Sequence, residues 1–195
     1  MAKATEARRE ALRARLIESA TATIRDEGAA ALRARALAED AGCSVGAIYT
    51  VFGDLPQLVL AVNGETFRRL GAHVVAGTTG DAPVERLVSM SEAYLDFAAS
   101  EPRLWRALFD VQMTESDAPG WYLAALDRVL SLIDAPLAEI FPDLGPEEVR
   151  VRTRALFSAV HGIVWLGLES RISAAPRARL REMIRFVLEG AARHG

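Results

Sequence analysis

Cysteine, lysine and histidine are scarce in this chain: among its 195 residues stand one Cys, one Lys and three His. The single cysteine, Cys43, excludes an internal disulfide framework and suits a reducing compartment. His73, His161 and His194 stand at no metal-ligand spacing, so neither a metal nor another cofactor is expected. Long apolar runs are missing too, because Arg, Asp and Glu punctuate every hydrophobic stretch, and this argues against a membrane-spanning helix. The first fifteen residues are charged and lack the apolar centre of a signal peptide, so the expected location is the cytoplasm. No alternating strand pattern persists. A Gly-rich phosphate loop, a nucleophile–His pairing and a Glu/His di-metal pattern are all lacking, which weighs against an enzyme housed in a helical fold; no catalytic residue is expected.

What the chain does have is apolar content, 51% of its residues, and helical periodicity along nearly its whole length. The expected fold is all-α, with about nine helices: an N-terminal three-helix unit followed by a larger helical bundle. A first helix is predicted from about Ala7 to Glu27, with Leu12, Leu16, Ile17, Ala20 and Ile24 on one face and Gly28 as its stop. A helix–turn–helix pair follows over about 33–52. Asp54 is placed to cap the next helix, with Pro56 in its first turn, and that helix bridges residues 55–75. Residues 76–82 hold the first real loop. Further helices are expected over 83–99, 102–111, 121–140, 146–171 and 176–193, with Pro136 kinking or breaking the third of that series. The domain reading is residues 1–54 as one unit and 55–195 as another.

The most telling stretch is Leu37-Ala38…Ala41-Gly42-Cys43-Ser44, then Val45 to Phe52. Leu37, Ala38 and Ala41 recur at helical spacing, Gly42 is a turn residue, and Ser44 can cap a second short helix. Two helices joined by so short a turn form the unit that places a helix in the DNA major groove. Positive charge gathers just upstream: Lys3, Arg8, Arg9, Arg13 and Arg15 face only Glu6 and Glu10, although the whole chain nets −3. Such a cluster fits phosphates, and an ordinary solvated helix face fits it equally well.

From about Arg9 to Leu58 the chain resembles the TetR-type transcriptional regulators. The residues that carry the likeness are the first helix ending at Gly28, Leu37-Ala38…Ala41-Gly42-Cys43-Ser44, Gly46-Ala47-Ile48-Tyr49…Phe52, and Leu58. His161-Gly162 with Trp165 is similar to a Trp-His-Gly-containing subset of the family's ligand domains. The resemblance implies a homodimer on a near-palindromic operator, a repressor released when a small hydrophobic or aromatic molecule enters the C-terminal bundle. It implies no cofactor and no membrane partner. Carried over by position, Ser44, Val45, Gly46, Ala47, Tyr49, Thr50 and Val51 fall where the family touches DNA, with Arg33 and Arg35 nearby for phosphates. Tyr49 would give its hydroxyl to a phosphate; the alternative is a half-buried core tyrosine. The chain departs from the family pattern at Val45, Val51, Leu55 and Arg33, where polar residues, a phosphate-binding Lys and a Ser or Thr cap are usual. Thr50 is then almost the only base-facing hydrogen-bonder. Cys43 reads either as a redox switch or, more simply, as a small buried apolar side chain.

Farther along, Tyr94, Phe97, Trp105, Phe109, Met113, Trp121, Phe157, His161 and Trp165 form the candidate ligand-binding set. Several pair at i, i+3 or i, i+4 and so share helical faces. A pocket between bundle helices and plain core packing both fit that spacing. Leu156, Ala159, Val160 and Ile163 on one late helix, and Leu180, Met183, Ile184 and Val187 on the last, are the candidate dimer surface. Ala159 and Gly167 would let helices approach closely. The same stripes could instead face the chain's own core. A regulator that answers to a protein partner remains the alternative to one that answers to a small molecule.

Overall fold

The structure is a computed structural model that describes residues 2–111, 117–169 and 173–193. Among these residues there are nine α-helices and no strand: α1 Ala2–Glu27, α2 Ala34–Asp40, α3 Val45–Phe52, α4 Leu55–Gly77, α5 Pro83–Ser100, α6 Pro102–Ala107, α7 Gly120–Ile140, α8 Pro146–Leu168 and α9 Arg177–Arg193. The all-α expectation holds. No single helix among them is long and apolar enough to cross a membrane.

Local chemistry explains the boundaries. Gly28 leaves α1 with φ 94°, and Gly42 turns between α2 and α3 with φ 62°, a left-handed conformation that costs little without a Cβ. Ser44 Oγ accepts the Ala47 N–H at 3.2 Å at the start of α3, and Asp54 Oδ1 accepts the Gln57 N–H at 2.8 Å at the start of α4. Gly53, with φ 82°, makes the corner between those two helices. Glu148 reaches back to the Gly145 N–H at 2.9 Å and starts α8 behind Pro146.

Two expectations are corrected. α1 starts at Ala2 rather than near Ala7, because an Ala-rich segment extends a helix without supplying any apolar stripe. α7 runs unbroken through Pro136 to Ile140. Pro136 is buried, and packing near the helix end outweighs one lost backbone hydrogen bond.

The described chain divides into two compact units, Met1–Phe67 with Glu101–Tyr122 and Arg68–Ser100 with Leu123–Gly195. α4 and α7 each contribute to both. In the first unit Leu16, Ala20 and Ile24 of α1 meet Leu37 and Ala38 of α2, Ile48 of α3, Leu58 and Val62 of α4 and Leu104 of α6. Arg15 Nε adds a hydrogen bond to the Ala41 carbonyl at 3.2 Å, and the Arg13 guanidinium lies 5.6 Å from the Phe52 ring centre. In the second unit α5, α8 and α9 pack together. Arg181 donates to both carboxylate oxygens of Asp96, at 2.6 and 2.8 Å, tying α9 to α5.

Candidate functional site

The α2–turn–α3 pair forms as its residues require. Ile48 is fully buried, and Val45, Phe52 and Cys43 pack against the first unit's core, so they form the inward face of α3 and its turn. Val45 is half-buried, with part of its side chain against that core. Cys43 behaves as a small apolar side chain. Ser44, Gly46, Tyr49 and Thr50 are exposed, with Ala47 and Val51 half-buried beside them. Tyr49 is 46% exposed and is no core tyrosine. A Cβ added at Gly46 would meet only Ser44 Oγ, at 3.9 Å, so that part of the helix front is bare backbone. Arg35 is exposed. Arg33 occupies the N-cap of α2, where its side chain makes no cap bond; its guanidinium instead donates to the carbonyls of Ala30 and Leu32 at 2.8 and 2.9 Å. Both bonds come from one guanidinium nitrogen, and the side chain is exposed.

The aromatic set falls into both units. Trp105 is buried in the first, with its ring centre 5.5 Å from Phe109, and Trp121 is half-exposed and packs on Gly64, where a Cβ would sit 2.8 Å from the indole. Asn63, wholly buried on α4, donates to the Ala107 carbonyl at 2.8 Å, while its Oδ1 is unpaired. Tyr122 stands close by: burial raises its phenol pKa above 10.0, and hydrogen bonding from Asn63 works the other way. Met113 lies outside the described residues.

The second unit holds Tyr94, Phe97, Phe157, His161 and Trp165. The Tyr94 hydroxyl lies 2.7 Å from His161 Nδ1, the His161 ring stacks on Phe157 at 5.5 Å, and Trp165 tilts against it at 5.6 Å. Burial lowers the His161 pKa below 6.5, which favours a neutral imidazole, and its tautomer sets which of the two groups donates. Beside this cluster is a cavity of about 50 Å³, lined by Val74, Leu87, Met90, Ser91, Tyr94, Val129, Leu130, Leu132, Ile133, Leu156, Phe157, Val160 and Leu188. Among the described residues no charged side chain lines it. Among the described residues of the sequence-predicted ligand set, Tyr94 and Phe157 reach it; the aliphatic majority of the lining carried no signal beyond ordinary core periodicity. Phe97 is buried elsewhere, 5.9 Å from the His73 ring.

The expected dimer surface is also redistributed. Leu180 and Ile184 are 1% and 0% exposed, and Val160 is buried, so these side chains fill this chain's own bundle. Leu156 and Val160 line the cavity. Gly167 does permit a close approach, but within the chain: a Cβ there would stand 2.3 Å from Leu180 Cδ2. Of the predicted set only Met183 is exposed, with Ala159, Ile163 and Val187 half-buried. On the same two helices stand exposed apolar residues that the sequence did not single out: Val151 and Leu166 on α8, and Phe186 on α9, 74% exposed. Their signal was present, as a second, weaker apolar stripe beside the main one.

The described residues thus hold a helix–turn–helix with an exposed second helix and a helical bundle with an apolar cavity, an all-α architecture that fixes no function by itself. A model of the tetracyclin repressor-like C-terminal domain matches residues 87–189, just over half of the chain. The chain belongs to the TetR family of transcriptional regulators. No curated protein matches the sequence. Among solved structures it resembles a Rhodococcus sp. RHA1 protein of unknown function, at 24% identity and a TM-score of 0.73 over 94% of each chain. It also resembles RolR in complex with resorcinol, at 22% identity and a TM-score of 0.66 over 92% of this chain and 95% of that one. The TetR-family regulator PfmR from Thermus thermophilus aligns at 20% identity with a TM-score of 0.60, over 91% of this chain and 97% of its own. At these identities the likeness establishes the fold. The family is one of regulators, not enzymes.

Proposed function

We propose that this chain is a cytoplasmic, ligand-responsive transcriptional repressor that binds a near-palindromic operator as a homodimer. The observation that carries the reading is the exposed front of α3, with Gly46, Tyr49 and Thr50 outward and Ile48 inward. Residues 1–54 are the DNA reader, and the rest of the chain is the ligand-binding and dimerisation part. Two α3 helices about 34–36 Å apart, or a multiple of that, would enter successive major-groove faces. Met183, Phe186, Val151 and Leu166 supply the apolar surface on which a second copy packs.

The inducer is a small, uncharged, largely apolar molecule, because among the described residues the cavity wall offers only the Ser91 and Tyr94 hydroxyls as polar side-chain groups. RolR's resorcinol complex is consistent with a small aromatic. His161, Gly162 and Trp165 supply the Trp-His-Gly-like feature beside the cavity. α4 carries residues of both units, so a ligand-driven shift of this helix changes the spacing of the two α3 helices. To release DNA the ligand must bind the DNA-incompetent state more tightly, typically by about 1–3 kcal/mol.

The test is fluorescence anisotropy of the purified chain with labelled DNA from around its own gene, over a range of salt. Saturable, sequence-dependent and salt-steep binding is expected, and Tyr49→Ala should weaken it about tenfold while leaving the melting temperature unchanged. Equal affinity for that DNA, for a site selected from random sequence and for unselected DNA would refute the reading.

A further inference from the structure

The recognition helix has an unusual chemistry. Arg and Lys read guanine, Asn and Gln read adenine, and Asp and Glu read cytosine, each through hydrogen bonds at the major-groove edge. None of these six residue types occurs between Ser44 and Gly53. The structure also engages two of the three hydroxyls that the sequence leaves, those of Ser44 and Thr50; the third, on the exposed Tyr49, is the one expected to meet a phosphate. Ser44 Oγ is the acceptor for the Ala47 N–H at 3.2 Å, and Thr50 Oγ1 spends its proton on the Gly46 carbonyl at 2.9 Å. Their remaining capacity is the Ser44 proton with one lone pair and the Thr50 lone pairs, none of it the planar two-point fork by which amide and guanidinium groups read a base. Besides Tyr49, what the front offers is apolar and small: the half-buried Ala47 and Val51, the methyl of the exposed Thr50 and the bare backbone at Gly46.

Resting on the DNA-binding reading above, we propose that α3 recognises its operator through the 5-methyl groups of thymine, which the Thr50 methyl, Val51 and Ala47 contact in the major groove. Thymine is the base whose major-groove edge carries an apolar group. Gly46 and Ala47 lack bulk, so the helix can come close enough for such short side chains to reach it. Phosphate contacts from the exposed Arg8, Arg9 and Arg35 hold the helix in register and carry no sequence information themselves.

The experiment starts with a site selected from random duplex by the full-length chain. Each thymine is then replaced singly by uracil, which removes the methyl and leaves the pairing edge intact. Affinity should fall about fourfold at each contacted position, the effect expected for one buried methyl-sized group, and it should fall at only a few positions per half-site. Thr50→Ser keeps the hydroxyl bonded to Gly46 and removes the γ-methyl; it should bind the uracil and thymine forms of one such position equally, with its salt dependence intact. Uracil sites bound as tightly as thymine sites would overturn the inference while leaving the DNA reader standing. Discrimination carried by a guanine and lost in Arg35→Ala would overturn it as well. Failure to select any site would refute the DNA-binding reading, and the inference with it.

Discussion

α3 and α9 both turn apolar atoms toward solvent, and the size of those atoms separates their roles. α3 shows a glycine, an alanine, a threonine methyl and one tyrosine, so its backbone stays close to whatever docks there. α9 shows Met183 and Phe186, whose bulk keeps a backbone away and fills a pocket in a complementary protein surface. On the proposed function the first face meets a groove with phosphate walls and the second meets another copy of the chain. Each helix also has an inward face, Ile48 in α3 and Leu180, Ile184 and Leu188 in α9, and each face anchors its helix in its own unit.

The sharpest way to break this division is to cross from one face of α9 to the other. Ile184→Ala removes a fully buried side chain and should destabilise the chain by about 2–5 kcal/mol, read by chemical denaturation. Met183→Ala, one residue away but outward, should cost within about 0.5 kcal/mol for the unassociated chain. Equal costs would mean that the faces are misassigned.

Phe186→Asp comes next. A charge at the centre of an apolar self-association surface should weaken the dimer by about 2 kcal/mol or more, and light scattering should show a shift from two chains to one. A smaller effect is expected at Gly46→Ala. Its added methyl meets no close neighbour, so helicity and melting temperature should hold or rise slightly, as alanine suits a helix better by up to about 1 kcal/mol. Operator affinity should fall severalfold, because the bare front of α3 has been filled. A structural glycine would show the opposite pattern.

The smallest effect concerns pH. Burial lowers the His161 pKa below 6.5, so the unfolded chain takes up a proton more readily than the folded one. Stability is therefore full above that value and declines as pH falls through it. The melting temperature of the wild type should drop on acidification from about pH 7.5 to 5.5, and His161→Gln should flatten part of the drop. A wild-type profile that rises on acidification and flattens in the variant would reverse the assigned sign.

Much of the first unit was legible because its signals are local. Gly28, Gly42, Ser44 and Asp54 each act on backbone groups within three or four residues, and all four do in the structure what their chemistry predicts. The second unit was less legible because periodicity shows that a stripe exists without showing what it faces. Leu180 and Ile184 look alike as dimer or core residues until α5 and α8 are seen against them. Aromatic spacing likewise gave no sign that Trp105 and Tyr94 belong to different units. The unpaired Oδ1 of Asn63 and the back-bonded hydroxyl of Thr50 depend on three-dimensional neighbours or on a rotamer, and neither is written in residue order.

The most direct test of the whole account is sedimentation of labelled operator with the wild type, Tyr49→Ala and Phe186→Asp in parallel. Two chains per duplex are expected for the wild type, a dimer that leaves the operator largely free for Tyr49→Ala, and a monomer with weakened binding for Phe186→Asp. A sequence-specific complex of one wild-type chain per duplex, unaffected by either substitution, would contradict it.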